Sequence, residues 1–219
     1  LIPLGFGLLA LWIGALQIVL DKGQQEDWLS SPFIRTLLIV FALSLVLFIF
    51  REMMTDHPLI NLRILKNRNF LTGTSLMMVM GAVLYGSIAL LPLFLQTLLG
   101  YSSLQSGLTT SPRGLGSIVG MIIMGRLLGI LDARFLLFIG FSLLAFSTWE
   151  FGKLELIIAP SNVIWPNILN GFSTALVFVP ITTLAMGTLK NEHMGNATGI
   201  FNLMRNLGGS IGIAGVTTM

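Results

Sequence analysis

Long apolar runs alternate with short polar connections along this chain. Seven runs stand out, at residues 4–20, 33–50, 70–99, 104–131, 135–151, 163–189 and 197–219. Each reaches or approaches the roughly 20 residues that a helix, rising about 1.5 Å per residue, needs to cross a hydrocarbon core about 30 Å thick. Strands of a membrane barrel would be about ten residues long and alternate in polarity, and these runs do not alternate. The pattern predicts an all-α polytopic membrane protein with about seven transmembrane helices.

Charge sharpens that picture. Charged residues are 10% of the chain, and they cluster between the apolar runs instead of spreading over them. Hydrophobic residues make up 54%, and the mean hydropathy is +0.89. A net charge of +3 raises the question of nucleic acid, but the basic residues are dispersed among run ends and form no patch, which excludes that partner. Orientation accounts for them. If the run at 70–99 starts on the cytoplasmic side, the inner boundary collects Arg51, Arg63, Lys66, Arg68, Arg126, Arg134, Lys190 and Arg205, eight in all. The outer boundary keeps three, Lys22, Arg35 and Lys153, along with Asp21, Glu26, Asp27, Glu150 and Glu155. This asymmetry sets the topology. Arg113 stands apart, inside a run.

The chain has no cysteine, so disulfide and thiol chemistry are excluded. His57 and His193 lie in polar connections without further ligands at metal spacing, so no metal site is expected. Neither a nucleophile–base pair nor a phosphate-cradling loop is present. The expectation is no enzyme, no catalytic residues and no bound cofactor.

The runs divide into a two-helix hairpin over 1–51, a cytoplasmic linker over 52–69 and a five-helix group over 70–219. The linker's basic side is suited to anionic lipid. Pro92 interrupts the third run and is expected to kink it. Met78, Gly81, Tyr85, Ala89, Pro92 and Gln96 share one face of that helix. The face either packs against neighbours or lines a cavity. In the fourth run Arg113, Gly116 and Gly120 share a face, and the two glycines let another backbone come close. Arg113 either pins a helix end or belongs to an outer gate or substrate cavity. Gly125, Arg126, Asp132 and Arg134 mark a tight inner turn, where Asp132 can cap the next helix and pair with either arginine. Asn167, Asn170, Thr174, Phe178 and Ile181 form a stripe along the sixth run, fit for packing or for a polyspecific cavity. Gly208 and Gly212 read as packing glycines in the last run.

The turn at 125–134 resembles the signature loop of the major facilitator superfamily, where such a loop latches the transporter halves. Further stretches carry the resemblance. They are the linker from His57 to Phe70, Leu91-Pro-Leu-Phe-Leu-Gln-Thr-Leu-Leu-Gly-Tyr-Ser102 with Gln105-Ser-Gly107, Phe178-Val-Pro-Ile-Thr-Thr183, and the glycine-rich stretch from Gly195 to Gly212. These are similar to the fourteen-helix drug:proton antiporters of the EmrB/QacA type, and the opening from Leu16 to Gly23 with Asp27-Trp28 is especially so. The resemblance covers essentially the whole chain. It implies an incomplete C-terminal transporter bundle over 70–219, preceded by two linker helices, with the chain expected to be a piece of a longer permease. It further implies a multi-pass protein of the inner (plasma) membrane that exports small lipophilic compounds by alternating access. The proton would be the coupling ion, and a periplasmic adaptor and an outer-membrane channel would be partners beside the lipid bilayer. No Asp or Glu lies at mid-depth in these runs, so proton coupling is assigned to no residue here. A transporter of another small solute and a non-transporting sensor or scaffold are the alternative readings.

Overall fold

A computed structural model describes residues 2–23, 25–55, 58, 60–154 and 161–218. His57 and Glu155 lie outside the described residues. The described residues form α1 (Ile2–Lys22), α2 (Pro32–Met54), α3 (Arg68–Thr97), α4 (Ser103–Thr110), α5 (Pro112–Leu127), α6 (Ala133–Phe151), α7 (Ser161–Met186) and α8 (Met194–Thr218). Five of these, α1, α2, α3, α6 and α7, are long and apolar enough to cross a membrane by length and composition.

The surface argues for a bilayer as strongly as the lengths do. Ile118, Ile122 and Phe138 are 56%, 58% and 71% exposed, while Asn167, Asn170 and Ser147 are wholly buried. Apolar outside with polar inside inverts the arrangement that water imposes. Lipid permits it, because intramembrane polar groups face protein.

The fourth run differs from its expected form. It was expected as one span over 104–131, and the chain instead forms α4 and α5, parted at Ser111, with turns after Leu127. Pro112 has no N–H to donate, and the Gly114 N–H bonds the Ser111 carbonyl at 3.0 Å, which tightens the junction. α4 opens on a capping box. Ser102 Oγ accepts from the Gln105 N–H at 3.2 Å, and Gln105 Oε1 accepts from the Ser102 N–H at 3.1 Å. Proline does not end the other helices: α3 runs through Pro92, and α7 through Pro166 and Pro180.

Contacts divide the chain into two compact units, residues 1–82 with 189–219, and residues 83–188. In the first, α1 and α2 pack as a hairpin around Trp12, whose ring centroid lies 6.3 Å from both Phe41 and Phe48. α1 also meets α8, where Ser210 Oγ donates to Gln17 Oε1 at 2.6 Å. The first half of α3 lies against α8, with Phe70 and Phe201 rings 5.5 Å apart. A side chain at Gly208 or Gly212 would strike the Met78 or Ala82 carbonyl. Glu52 is buried in the last turn of α2, paired with Arg51, and accepts the Ile60 N–H at 3.1 Å. The Asn61 N–H donates to Asn196 Oδ1 at 3.2 Å, which ties the linker to the start of α8.

In the second unit α7 packs along both α5 and α6. Leu136, Gly140, Leu144 and Ser147 form the buried stripe of α6, and Gly116, Gly120 and Met124 that of α5. Between helices in lipid no hydrophobic force remains, so close van der Waals contact and hydrogen bonds must hold them.

Candidate functional site

Arg113 follows Pro112 in the first turn of α5, so it enters the interior from the α4–α5 junction. Its guanidinium donates to Asn170 Oδ1 on α7, and Asn170 Nδ2 donates in turn to Ser147 Oγ on α6 at 3.0 Å. One turn earlier on α7, Asn167 Nδ2 donates to the Thr110 carbonyl at 2.7 Å and the Thr109 carbonyl at 3.4 Å. These carbonyls lie at the end of α4, where helical partners run out. The asparagines thus join α4, α5 and α6 through α7. Each such bond contributes roughly 0.6 to 2 kcal/mol in a membrane.

Backbone approach makes this reach attainable. A Cβ on Gly116 would run into the Ile168 carbonyl, and one on Gly171 into the Arg113 carbonyl. At Gly120 it would sit 2.8 Å from Ala175 Cβ. Ser117 Oγ, a turn below Arg113, donates to the Gly171 carbonyl at 3.1 Å.

A cavity of about 190 Å³ opens beside this network, with Ser87, Leu91, Pro92, Thr110, Arg113 and Asn167 among its walls. Among the described residues, two buried polar side-chain atoms of these walls, Arg113 Nε and Asn167 Oδ1, have no hydrogen-bond partner. Of the candidates named from sequence, Arg113 and Asn167 meet at this cavity, and Asn170 holds the guanidinium. Gln96 is exposed and donates to Ser106 Oγ at 3.4 Å. Tyr85 and Phe178 are half-buried on α3 and α7.

The inner turn is arranged for capping. Asp132 Oδ1 accepts the Arg134 N–H at 2.9 Å and so caps α6. Gly125, Arg126, Asp132 and Arg134 are all exposed. The ion pairs among the described residues are Arg51–Glu52, Lys153–Glu150 and His193–Glu192. The structure therefore brings Asp132 to a backbone amide and does not bring it to either guanidinium.

Sequence reasoning missed Ser147, Ser117, the Thr109 and Thr110 carbonyls, and Glu52. Ser147 carried a usable signal, since it falls at helical spacing from Leu136, Gly140 and Leu144. Glu52 carried none, because a carboxylate beside Arg51 at a run's end reads as solvated.

A helical architecture with apolar groups outside and polar groups turned inward defines an integral membrane protein. Comparison with known families makes this specific. The Major Facilitator Superfamily profile matches residues 1–213. The chain belongs to the major facilitator superfamily and is a multi-pass protein of the inner membrane. It is 34% identical over 216 residues to the Multidrug export protein EmrB of Escherichia coli K12, covering 98% of this chain and 42% of that protein. It is 34% identical over 215 residues to the Fatty acid resistance protein FarB of Neisseria gonorrhoeae, with the same 98% and 42% coverage. To the Colistin resistance protein EmrB of Acinetobacter baumannii it is 30% identical over 206 residues, covering 94% of this chain and 40% of that one. The chain spans about two fifths of the length of these curated relatives.

Proposed function

We propose that this chain serves in a multidrug efflux permease that exports small lipophilic compounds by proton-driven antiport. The observation that carries the reading is the 34% identity to a multidrug export protein, sustained over 98% of this chain. A cavity with apolar walls and a few convergent polar groups suits such substrates. Two helix bundles would rock about the cavity and expose it alternately to each side. By the same likeness, a periplasmic adaptor and an outer-membrane channel are the proposed partners. Asp132 and its arginines are the proposed inner latch, with the capped α6 as the arrangement from which an ion pair forms during the cycle.

The test is transport by the complete gene product in proteoliposomes carrying an internal pH dye. Adding a lipophilic drug is expected to release protons in step with drug flux. Drug binding with neither flux nor proton movement overturns export and favours a sensor. Flux that ignores an imposed pH gradient overturns proton coupling alone.

A further inference from the structure

Among the described residues, the linker between α2 and α3 carries one short element, the helical turn Leu62–Lys66. A hairpin tethered by a loose linker would be free to stay behind in lipid while the bundles rock. The linker amides oppose that freedom. The Ile60 N–H donates to Glu52 Oε2 on α2 at 3.1 Å, and the next amide, that of Asn61, donates to Asn196 Oδ1 on α8 at 3.2 Å. Successive amides of one strap therefore hold two different helices. Glu52 is buried and paired with Arg51, which fixes its carboxylate where the strap meets α2 and makes it the stronger kind of acceptor. Asn61 Oδ1 accepts the Arg63 N–H at 3.1 Å and starts the helical turn directly after this fastening.

A second fastening sits far from the first. Gln17 Nε2 donates to Asp21 Oδ1 at 3.2 Å, which leaves Gln17 Oε1 to accept from Ser210 Oγ at 2.6 Å. Ser210 is buried and lies fourteen residues beyond Asn196 on α8, roughly 21 Å at about 1.5 Å per residue. A single fastening would act as a pivot. Two, set so far apart along one helix, fix the tilt of the hairpin as well as its position. α8 is itself joined closely to the first half of α3. A Cβ on Gly81 would strike the Arg205 carbonyl, and one on Gly208 or Gly212 the Met78 or Ala82 carbonyl. Helices that meet backbone to backbone do not slide past each other without repacking.

We propose that the α1–α2 hairpin travels with α8 and the first half of α3 as one body during transport, and that Glu52 is the positioning residue of its inner fastening. The proposal rests on the export reading for its cycle and adds which helices move together. Glu52 touches no substrate in this role. It holds the strap, and the strap holds α2 to α8.

The complete gene product in proteoliposomes, made free of any other cysteine, tests this. A disulfide between Gln17→Cys and Ser210→Cys, identified by mass spectrometry of the bridged peptide, joins two parts of one body. It is expected to leave drug flux within about twofold of the reduced protein. Flux arrested by the bridge and restored by dithiothreitol overturns the proposal. Spin labels at the exposed positions Met53→Cys and Asn191→Cys read the inner fastening. Their separation is expected to shift by less than about 2 Å between drug-free and drug-bound protein, while a label pair spanning the two bundles gives the moving reference. A shift of about 5 Å or more at Met53 and Asn191 overturns the shared body. Glu52→Ala should widen their distance distribution about twofold or more, and Glu52→Gln, which keeps a carbonyl for the Ile60 N–H, should restore most of its sharpness. An unchanged distribution in Glu52→Ala overturns the role of Glu52. If that variant does not fold, Ile60→Pro, which removes the amide donor, takes its place with the same expected widening. Absence of flux in the reduced protein sinks export, and the label distances then decide the shared body by themselves. Normal flux that the disulfide arrests sinks the shared body and leaves export standing.

Discussion

At Asp132 one carboxylate caps α6 and is also the proposed mobile charge of the inner latch, and substitution can separate the two roles. Asparagine caps a helix about as well as aspartate, so Asp132→Asn should keep α6 intact and remove only the charge. Asp132→Ala should also cost the cap, about 1 kcal/mol. If the latch operates, both variants depress efflux several-fold at normal expression, and only the alanine variant loses thermal stability. Unchanged transport in Asp132→Asn would leave Asp132 as a cap alone. The cap was legible from sequence, because Asp before an apolar run is a local signal. The missing arginine contact was not, since pairing depends on where long exposed side chains come to rest. Arg113 shows the same division. Its isolation in an apolar run was plain from the chain, but its partner Asn170 lies 57 residues away, and Ser147, which Asn170 bonds in turn, lies 23 residues from Asn170. Nothing local names such partners.

Small residues decide which helices touch. Gly116 and Gly171 face each other's carbonyl neighbourhoods across α5 and α7, so the helices meet backbone to backbone. Replacing Gly116 with leucine forces them apart and stretches the Arg113–Asn170 and Asn167–Thr110 bonds together. The expected loss is about 1–3 kcal/mol from overpacking, with more from the broken bonds. A fall in melting temperature in detergent checks this, with Gly125→Leu as the control. Gly125 has open space where a side chain would go, so that variant should melt like the parent. Spacing of the glycines pointed to this packing from the sequence. The division of the fourth run into α4 and α5 did not show, because hydropathy continues through Ser111-Pro112 while the hydrogen-bond ladder does not.

Topology governs everything on the scale of the molecule. The charge asymmetry predicts that helices alternating across a bilayer put the Gly23–Trp28 turn outside and the Leu128–Asp132 turn inside, with most arginines and lysines at the inner face. The chain lacks cysteine, so single cysteines at Ser30 and Ala133 can be labelled without background. A membrane-impermeant maleimide added to intact cells should reach Ser30→Cys and leave Ala133→Cys untouched until the cells are opened. Equal labelling of both would refute the topology. The sequence by itself determined most of the helices, their approximate ends and the family, and it predicts the orientation, because lipid filters the chain by length, apolarity and charge, all of them local properties. Tertiary structure alone decided the inward network of α7, the burial of Glu52 and the cavity at Arg113. Those depend on which helix faces meet, and hydropathy is blind to facing when the surroundings outside a bundle are as apolar as the helices within it.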